Sequence, residues 1–189
     1  NSMINPDVIS DEAVKETAIH EVGHAFVRYK LFDNPWIVQI TIKPEGTGVL
    51  GFVSYKNEKD SYVRKKSTIM KNIKVSLAGM IAEEVFLGEH ANGNTSDLRK
   101  ATHNARDMVT RFGMSNLGLA QIDSYGGVLE LKIQEEVNNI LKECYDETTK
   151  LIQDNKESMS RVVDFLYKHR EITEEQFMKE LSKENKSKK

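Results

Sequence analysis

The sequence predicts a mostly helical α+β fold with a small β-hairpin or sheet beside the helices. Apolar residues recur at helical spacing through most of the chain, and strict alternation is confined to one short stretch. That stretch is bracketed by Pro35 and Pro44, two of only three prolines.

The first helix is expected to start at Ser10, a residue type suited to capping, with Asp11 and Glu12 favourably placed in the first turn. It runs to about Leu31. Val14, Ala18, Val22, Ala25, Phe26 and Tyr29 share one face. From Trp36 to Lys43, Trp36, Val38, Ile40 and Ile42 alternate with Ile37, Gln39, Thr41 and Lys43, the pattern of a half-buried strand. A turn at Glu45–Gly48 leads to a second strand over Val49–Tyr55. A second helix is expected from about Ser61 to Leu87, where Ile69, Ile73, Leu77, Ile81 and Val85 step by four and Gly88 supplies the stop. After a polar loop at Glu89–Ser96, a third helix runs from about Asp97, capped by Ser96, to Phe112. The stretch Val128–Arg170 reads as two helices broken near Asp154-Asn155, and Thr173-Glu174-Glu175-Gln176 is a capping box opening a last short helix.

Composition narrows the function. A chain of 189 residues fits one domain or two small ones and can bury a sizeable core. A net charge of −2 gives no electrostatic footprint for nucleic acid, so no nucleic-acid partner is expected. The single cysteine, Cys144, cannot form an internal disulfide and fits a reducing compartment. No run of about 18 apolar residues is present, so no bilayer span is expected within this sequence.

His20-Glu21-Val22-Gly23-His24 carries the chemistry. In this H-E-x-x-H pattern two imidazoles stand four residues apart on a helix, about 40° apart around the axis and one turn apart along it, so both can reach one cation. The helical wheel turns them away from the Val14/Val22/Tyr29 face, toward the small residues Ala13 and Thr17. In zinc peptidases the intervening glutamate, here Glu21, accepts a proton from water as that water attacks a peptide carbonyl. Five histidines in 189 residues make a chance match about a one-in-a-hundred event. A catalytic zinc needs a third protein ligand and one open position. Val27 and Lys30 stand where the extended pattern with a third histidine would need glycine and histidine, which excludes that class. The remaining candidates are Glu83, Glu84, His90, Asp97 and His103.

Further motifs follow: Leu77-Ala78-Gly79-Met80-Ile81-Ala82-Glu83-Glu84, then Gly93-Asn94-Thr95-Ser96-Asp97-Leu98 with Ala101-Thr102, Ala105-Arg106, Met108-Val109 and Gly113-Met114-Ser115. Together with His20–His24 they resemble the peptidase domain of the FtsH family, membrane-anchored ATP-dependent zinc metalloproteases, over about Val8 to Leu181. The resemblance implies one zinc ion per chain held by His20, His24 and Asp97, with Glu21 as general base. Glu83 then orients a ligand imidazole, and His90, His103 and His169 remain solvated. It also implies unfolded polypeptide substrates, an AAA+ ATPase module that feeds them, and a homo-hexamer in the full protein. The expected location is the cytosolic face of a membrane, such as the bacterial inner membrane, reached only through segments outside this sequence. Val49, Leu50, Gly51, Phe52 and Val53 are the candidate strand for extended substrate, because an exposed strand edge offers backbone hydrogen bonds.

The chain departs from the family in places. Pro44-Glu45-Gly46-Thr47-Gly48 stands where relatives carry a basic Pro-Arg-Gly-like segment, the loop between Glu84 and Gly93 is short, and no phosphate loop of the G-x-x-x-x-G-K-[ST] type occurs. These departures motivate an alternative, an inactive peptidase-fold assembly or regulatory module. The expected organisation is a cloning scar and leader at 1–7, suggested by Asn1-Ser2-Met3 and by a chain cut from something longer. The peptidase core follows at 8–127, then its C-terminal helical part at 128–182, and a frayed lysine-rich tail at 183–189.

Overall fold

The computed structural model describes residues 10–33, 37–45, 48–55, 63–123 and 126–183. The expected scar at 1–7, Trp36, the Gly46-Thr47 turn, the Ser61 helix start and the tail from 184 onward lie outside the described residues.

Six helices and one three-stranded antiparallel sheet follow in the order α1 (Asp11–Leu31), β1 (Ile37–Glu45), β2 (Gly48–Tyr55), α2 (Lys66–Leu87), α3 (Thr95–Thr110), α4 (Gly127–Asp154), α5 (Lys156–His169), β3 (Glu171–Thr173) and α6 (Glu174–Ser182). The mostly helical α+β expectation is met.

Ser10 caps α1, its side chain accepting from the Ala13 N–H at 3.1 Å. The single apolar face expected for α1 is too narrow. Ile19, Gly23 and Val27 are buried along with Val14, Ala18, Val22, Ala25 and Phe26, because α1 lies between α2, β2 and α5. A helix enclosed on several sides loses the one-face pattern that periodicity detects. Gly23 lets α2 approach. A Cβ at Gly23 would lie 2.6 Å from the Ala78 carbonyl oxygen and 2.7 Å from the Ala82 Cβ, so α1 and α2 meet nearly backbone to backbone there.

The sheet order is β2-β1-β3. Strand β1 runs two residues beyond the expected end, through Pro44 to Glu45. The Ile42 N–H bonds to the Arg170 carbonyl at 2.8 Å. By alternation the Pro44 nitrogen faces the same way, past the end of the three-residue β3, where a missing N–H does no harm. The register shifts between Ile37 and Gln39. Ile40 and Ile42 are buried as the alternation expects, while Ile37, on the far side of that irregularity, and Thr41 are buried against it. Strand β3 was not foreseen, since Glu171-Ile172-Thr173 is too short for a periodic signal. Arg170 enters the left-handed region (φ 67°) to turn the chain out of α5 into it.

Helix α2 starts at Lys66, because Val63–Lys65 are not helical, and stops as expected at Gly88 (φ 92°). Helix α3 begins at Thr95, two residues before the expected start, after a 3-10 turn at Asn92–Asn94. Ser96 is therefore not its cap. The break between α4 and α5 falls at Asn155. Thr173 and Gln176 form the expected capping box at α6. Helices α4 and α5 contribute Ile133, Val137, Ile152, Met159 and Val162 to the same core as α1 and α2.

Candidate metal centre

Helix α1 projects His20 and His24 toward α2, and the first turn of α3 brings Asp97 to meet them. The His20 Nε2 and His24 Nε2 atoms stand 2.9 Å apart. Asp97 Oδ2 lies 3.4 Å from the first and 3.2 Å from the second. Three ligands held about 2.0–2.2 Å from one ion in a tetrahedral arrangement stand about 3.3–3.5 Å apart. Among the described residues this is the group of His, Cys, Asp or Glu side chains that converges on one point.

The ring nitrogens facing away from that point settle the tautomers. His24 Nδ1 lies 2.7 Å from the Val75 carbonyl oxygen, which can only accept, so Nδ1 carries a hydrogen. His20 Nδ1 lies 2.7 Å from Glu83 Oε1 and donates in the same way. Both Nε2 atoms of the neutral rings are then bare lone pairs facing Asp97, and such a cluster needs a cation. A proton can supply it. Burial disfavours a charged His20, but hydrogen bonds to Asp97 and Glu83 and the nearby Glu21 and Glu83 charges prevail, raising its pKa from 6.5 to about 9. A divalent metal meets the same demand with better geometry, and the donor set, two imidazoles and a carboxylate, suits zinc.

The supports come from one stripe of α2. Val75, Gly79 and Glu83 are four residues apart and face α1. The Val75 carbonyl takes His24, Glu83 takes His20, and Gly79 between them makes room. A Cβ at Gly79 would lie 2.5 Å from His20 Cε1 and 2.6 Å from His24 Nε2. Glu83 is buried, and its second oxygen accepts from the Ala91 N–H at 2.8 Å and Asn94 Nδ2 at 3.2 Å. Burial raises the Glu83 pKa, but the bonds from His20, Ala91 and Asn94 outweigh this and hold it below the usual carboxylate range. Asp97 is likewise held well below that range: burial opposes ionisation, but the His20 and His24 hydrogen bonds dominate. Lys100 Nζ takes the other Asp97 oxygen at 3.2 Å.

Glu21 borders the same cleft but packs on a different neighbour. It is 8% exposed and sits beneath β2. A Cβ at Gly51 would lie 2.6 Å from Glu21 Cγ and 2.6 Å from Thr17 Cγ2, so any larger residue here would displace those side chains. Burial raises the Glu21 pKa, partly countered by His24 and His20. Strand β2 is an edge of the sheet. Val49 to Val53, with Tyr55, line a cleft of about 1150 Å³ that also holds His20, Glu21, His24 and Asp97.

The remaining candidates stand apart from the trio. Glu84 hydrogen-bonds Tyr145 Oη and lies 2.6 Å from His90 Nδ1. His90 borders the cleft with its side chain 42% exposed. His103 is exposed beside Asp107, and His169 stacks on Phe165. Cys144 is buried, and burial pushes its thiol pKa up to about 12, which suits packing. Sequence reasoning missed Val75, Gly79, Ala91 and Asn94. The four-residue spacing of Val75, Gly79 and Glu83 was the available signal for two of them.

The family model described as peptidase family M41 matches residues 7–180. The chain belongs to peptidase family M41. Among similar proteins, the ATP-dependent zinc metalloprotease FtsH 1 of Petrotoga mobilis is 33% identical over 94% of this chain and 30% of its own length. The ATP-dependent zinc metalloprotease FtsH of Lancefieldella parvula is also 33% identical, over 94% of this chain and 30% of its own. That of Caldicellulosiruptor bescii is 31% identical over 91% of this chain and 30% of its own. The chain thus spans less than a third of the length of these relatives. Among the described residues no helix is long and apolar enough to cross a membrane.

Proposed function

We propose that this M41 domain is a zinc-dependent endopeptidase in which His20, His24 and Asp97 hold one zinc ion and Glu21 is the general base. The observation that carries the reading is the convergence of His20 Nε2, His24 Nε2 and Asp97 Oδ2, with Glu21 buried beside them in an open cleft. Bound there, zinc would supply Lewis acidity, lowering the pKa of a water and polarising the scissile carbonyl. The chain's own residues do the rest. Glu83 and the Val75 carbonyl hold both Nδ1–H groups, so both Nε2 lone pairs face the ion. Glu21 takes a proton from the attacking water and returns it to the departing amine. Its raised pKa suits a group that must both accept and release that proton. The edge of β2 from Val49 to Val53, unpaired among the described residues, receives extended substrate through backbone hydrogen bonds, with little demand on side chains.

That tolerance fits unfolded polypeptide as the substrate. The relatives' names, ATP-dependent zinc metalloprotease, support delivery by an AAA+ ATPase module, and the FtsH resemblance supports a hexamer on the cytosolic face of a membrane. Zinc analysis and casein cleavage test the core of the proposal. The wild-type chain should hold about one zinc ion per chain. Glu21→Gln should keep the metal and lose about 10²–10⁴-fold in cleavage rate. Loss of metal in that variant would contradict the role given to Glu21. A folded, zinc-loaded wild type that cleaves nothing would favour an assembly or regulatory module.

A further inference from the structure

Glu83 meets His20 through one carboxylate oxygen, and the partners of the other oxygen set where the group sits. Oε1 accepts from His20 Nδ1, while Oε2 accepts from the Ala91 N–H and Asn94 Nδ2. The Ala91 donor is backbone, so the choice left to the sequence is Asn94. It ends the 3-10 turn between α2 and α3 and is 2% exposed. Its Nδ2 also donates to the Ala91 carbonyl at 2.8 Å, closing the turn around the carboxylate. The amide orientation follows from these partners: reversed, its oxygen would face a carboxylate and a carbonyl, both acceptors. Among the described residues the Asn94 Oδ1 atom is buried without a partner. A buried unpaired acceptor is destabilising, so filling space alone is better done by an apolar side chain. What this amide adds is a donor aimed at Glu83.

We propose that Asn94 is a positioning residue for the metal centre, acting through Glu83 on the orientation of His20. Two donors on one oxygen fix the plane and position of the carboxylate, and the other oxygen is thereby held on His20 Nδ1. His20 Nε2 is thereby held toward the point where it would meet a metal. This rests on His20 being a metal ligand, as proposed above.

Zinc affinity, measured by chelator competition at constant pH on the whole chain, tests the proposal with wild type, Asn94→Ala, Asn94→Asp and Glu83→Gln. Removing a group that orients a metal ligand typically weakens affinity about 10–100-fold. Asn94→Ala should fall near the lower end. Asn94→Asp, nearly identical in size, sets a carboxylate against Glu83 and should bind zinc more weakly still. A packing role predicts the opposite order, because alanine leaves the larger hole. In a Glu83→Gln background Asn94→Ala should weaken affinity no further. The proposal is overturned if both Asn94 variants bind zinc like wild type, if alanine is the worse of the two, or if the Asn94→Ala effect survives in Glu83→Gln. Asn94→Ala only removes atoms, so it keeps the test decisive should the aspartate variant fail to fold. A wild-type chain that binds no zinc would overturn the metal reading itself. Wild-type binding with unaffected Asn94 variants would overturn this inference alone.

Discussion

Gly79→Ala is the smallest substitution that should empty the metal centre while leaving every ligand in place. The added Cβ would lie 2.5 Å from His20 Cε1, 2.7 Å from His20 Nδ1 and 2.6 Å from His24 Nε2. Carbon atoms pack favourably at about 3.5–4.0 Å, so both rings must retreat by about 1 Å. Neither can do so freely. Each is held by a 2.7 Å hydrogen bond to α2 itself, through Glu83 and the Val75 carbonyl, and those bonds stretch as the rings leave. Sliding the helices is opposed at Gly23, already packed against the Ala78 backbone. Metal sites tolerate ligand displacements of about 0.2 Å, so a shift several times larger should weaken zinc binding at least ~100-fold. The effect on folding is smaller. Alanine gains about 1 kcal/mol in helix propensity, against about 1–3 kcal/mol for overpacking. The metal-free variant should therefore melt within several degrees of wild type. Thermal melts with and without zinc separate the two effects. Zinc at 100 times its Kd stabilises a binding-competent fold by about 2.7 kcal/mol, and Gly79→Ala should lose most of that gain. A folded Gly79→Ala chain binding zinc within about threefold of wild type would refute the reasoning, because the 2.5 Å approach would then be relieved at no cost to the ligands.

Two further predictions follow from the same geometry. Gly51→Ala puts a Cβ 2.6 Å from Glu21 Cγ and leaves the metal ligands untouched, so zinc content should hold while casein cleavage falls at least ~10-fold; equal losses of metal and activity would contradict it. Metal-free stability should depend on pH through His20, whose pKa is raised from 6.5 to about 9. A raised pKa means the folded state binds the proton more tightly. That stabilisation is complete below about pH 6.5 and is lost as pH climbs to about 9, with Glu21 adding a loss of the same sign from its ordinary range upward. Urea unfolding of the metal-free chain between pH 6 and 9 measures it, and a flat or rising profile would count against the proton on His20.

The residues that speak through local rules were legible in the sequence. Ser10 and the Thr173/Gln176 box mark helix starts because capping is a contact within one turn. Gly88 marks a stop for the same reason. The H-E-x-x-H pair is legible because four residues on a helix fix two side chains with no tertiary input. What stayed hidden depends on elements meeting in space. The one-face reading of α1 missed Ile19 and Val27, since α2, β2 and α5 pack on several sides of the helix and bury more than one stripe of it. Strand β3 is held by pairing with Gln39, Ile40 and Thr41, far away in sequence, and has no pattern of its own. From spacing alone Asp97 was one of several acids and histidines. What distinguishes it is that α3 starts at Thr95, which sets its carboxylate within 3.4 Å of both imidazoles.

The three residues His20, Glu21 and His24 are read as one motif, yet the fold divides them between two neighbours. His20 and His24 lie against α2, where antiparallel packing lets the i, i+4 step of one helix meet the i, i+4, i+8 step of the other: His24 on Val75, His20 on Glu83, and Gly79 between them. Glu21 lies under β2, where Gly51 takes the part that Gly79 takes for the histidines. Metal retention and proton transfer thus depend on different glycines on different elements. If that division holds, Gly79→Ala should lose zinc and with it cleavage, and Gly51→Ala should lose cleavage alone. The cleavage left in Gly51→Ala should also respond to pH differently from wild type, because the shifted Glu21 would titrate in a changed environment while the ligand set stays the same. A shared collapse of metal binding in both variants would instead mean that α2 and β2 support the centre as one unit.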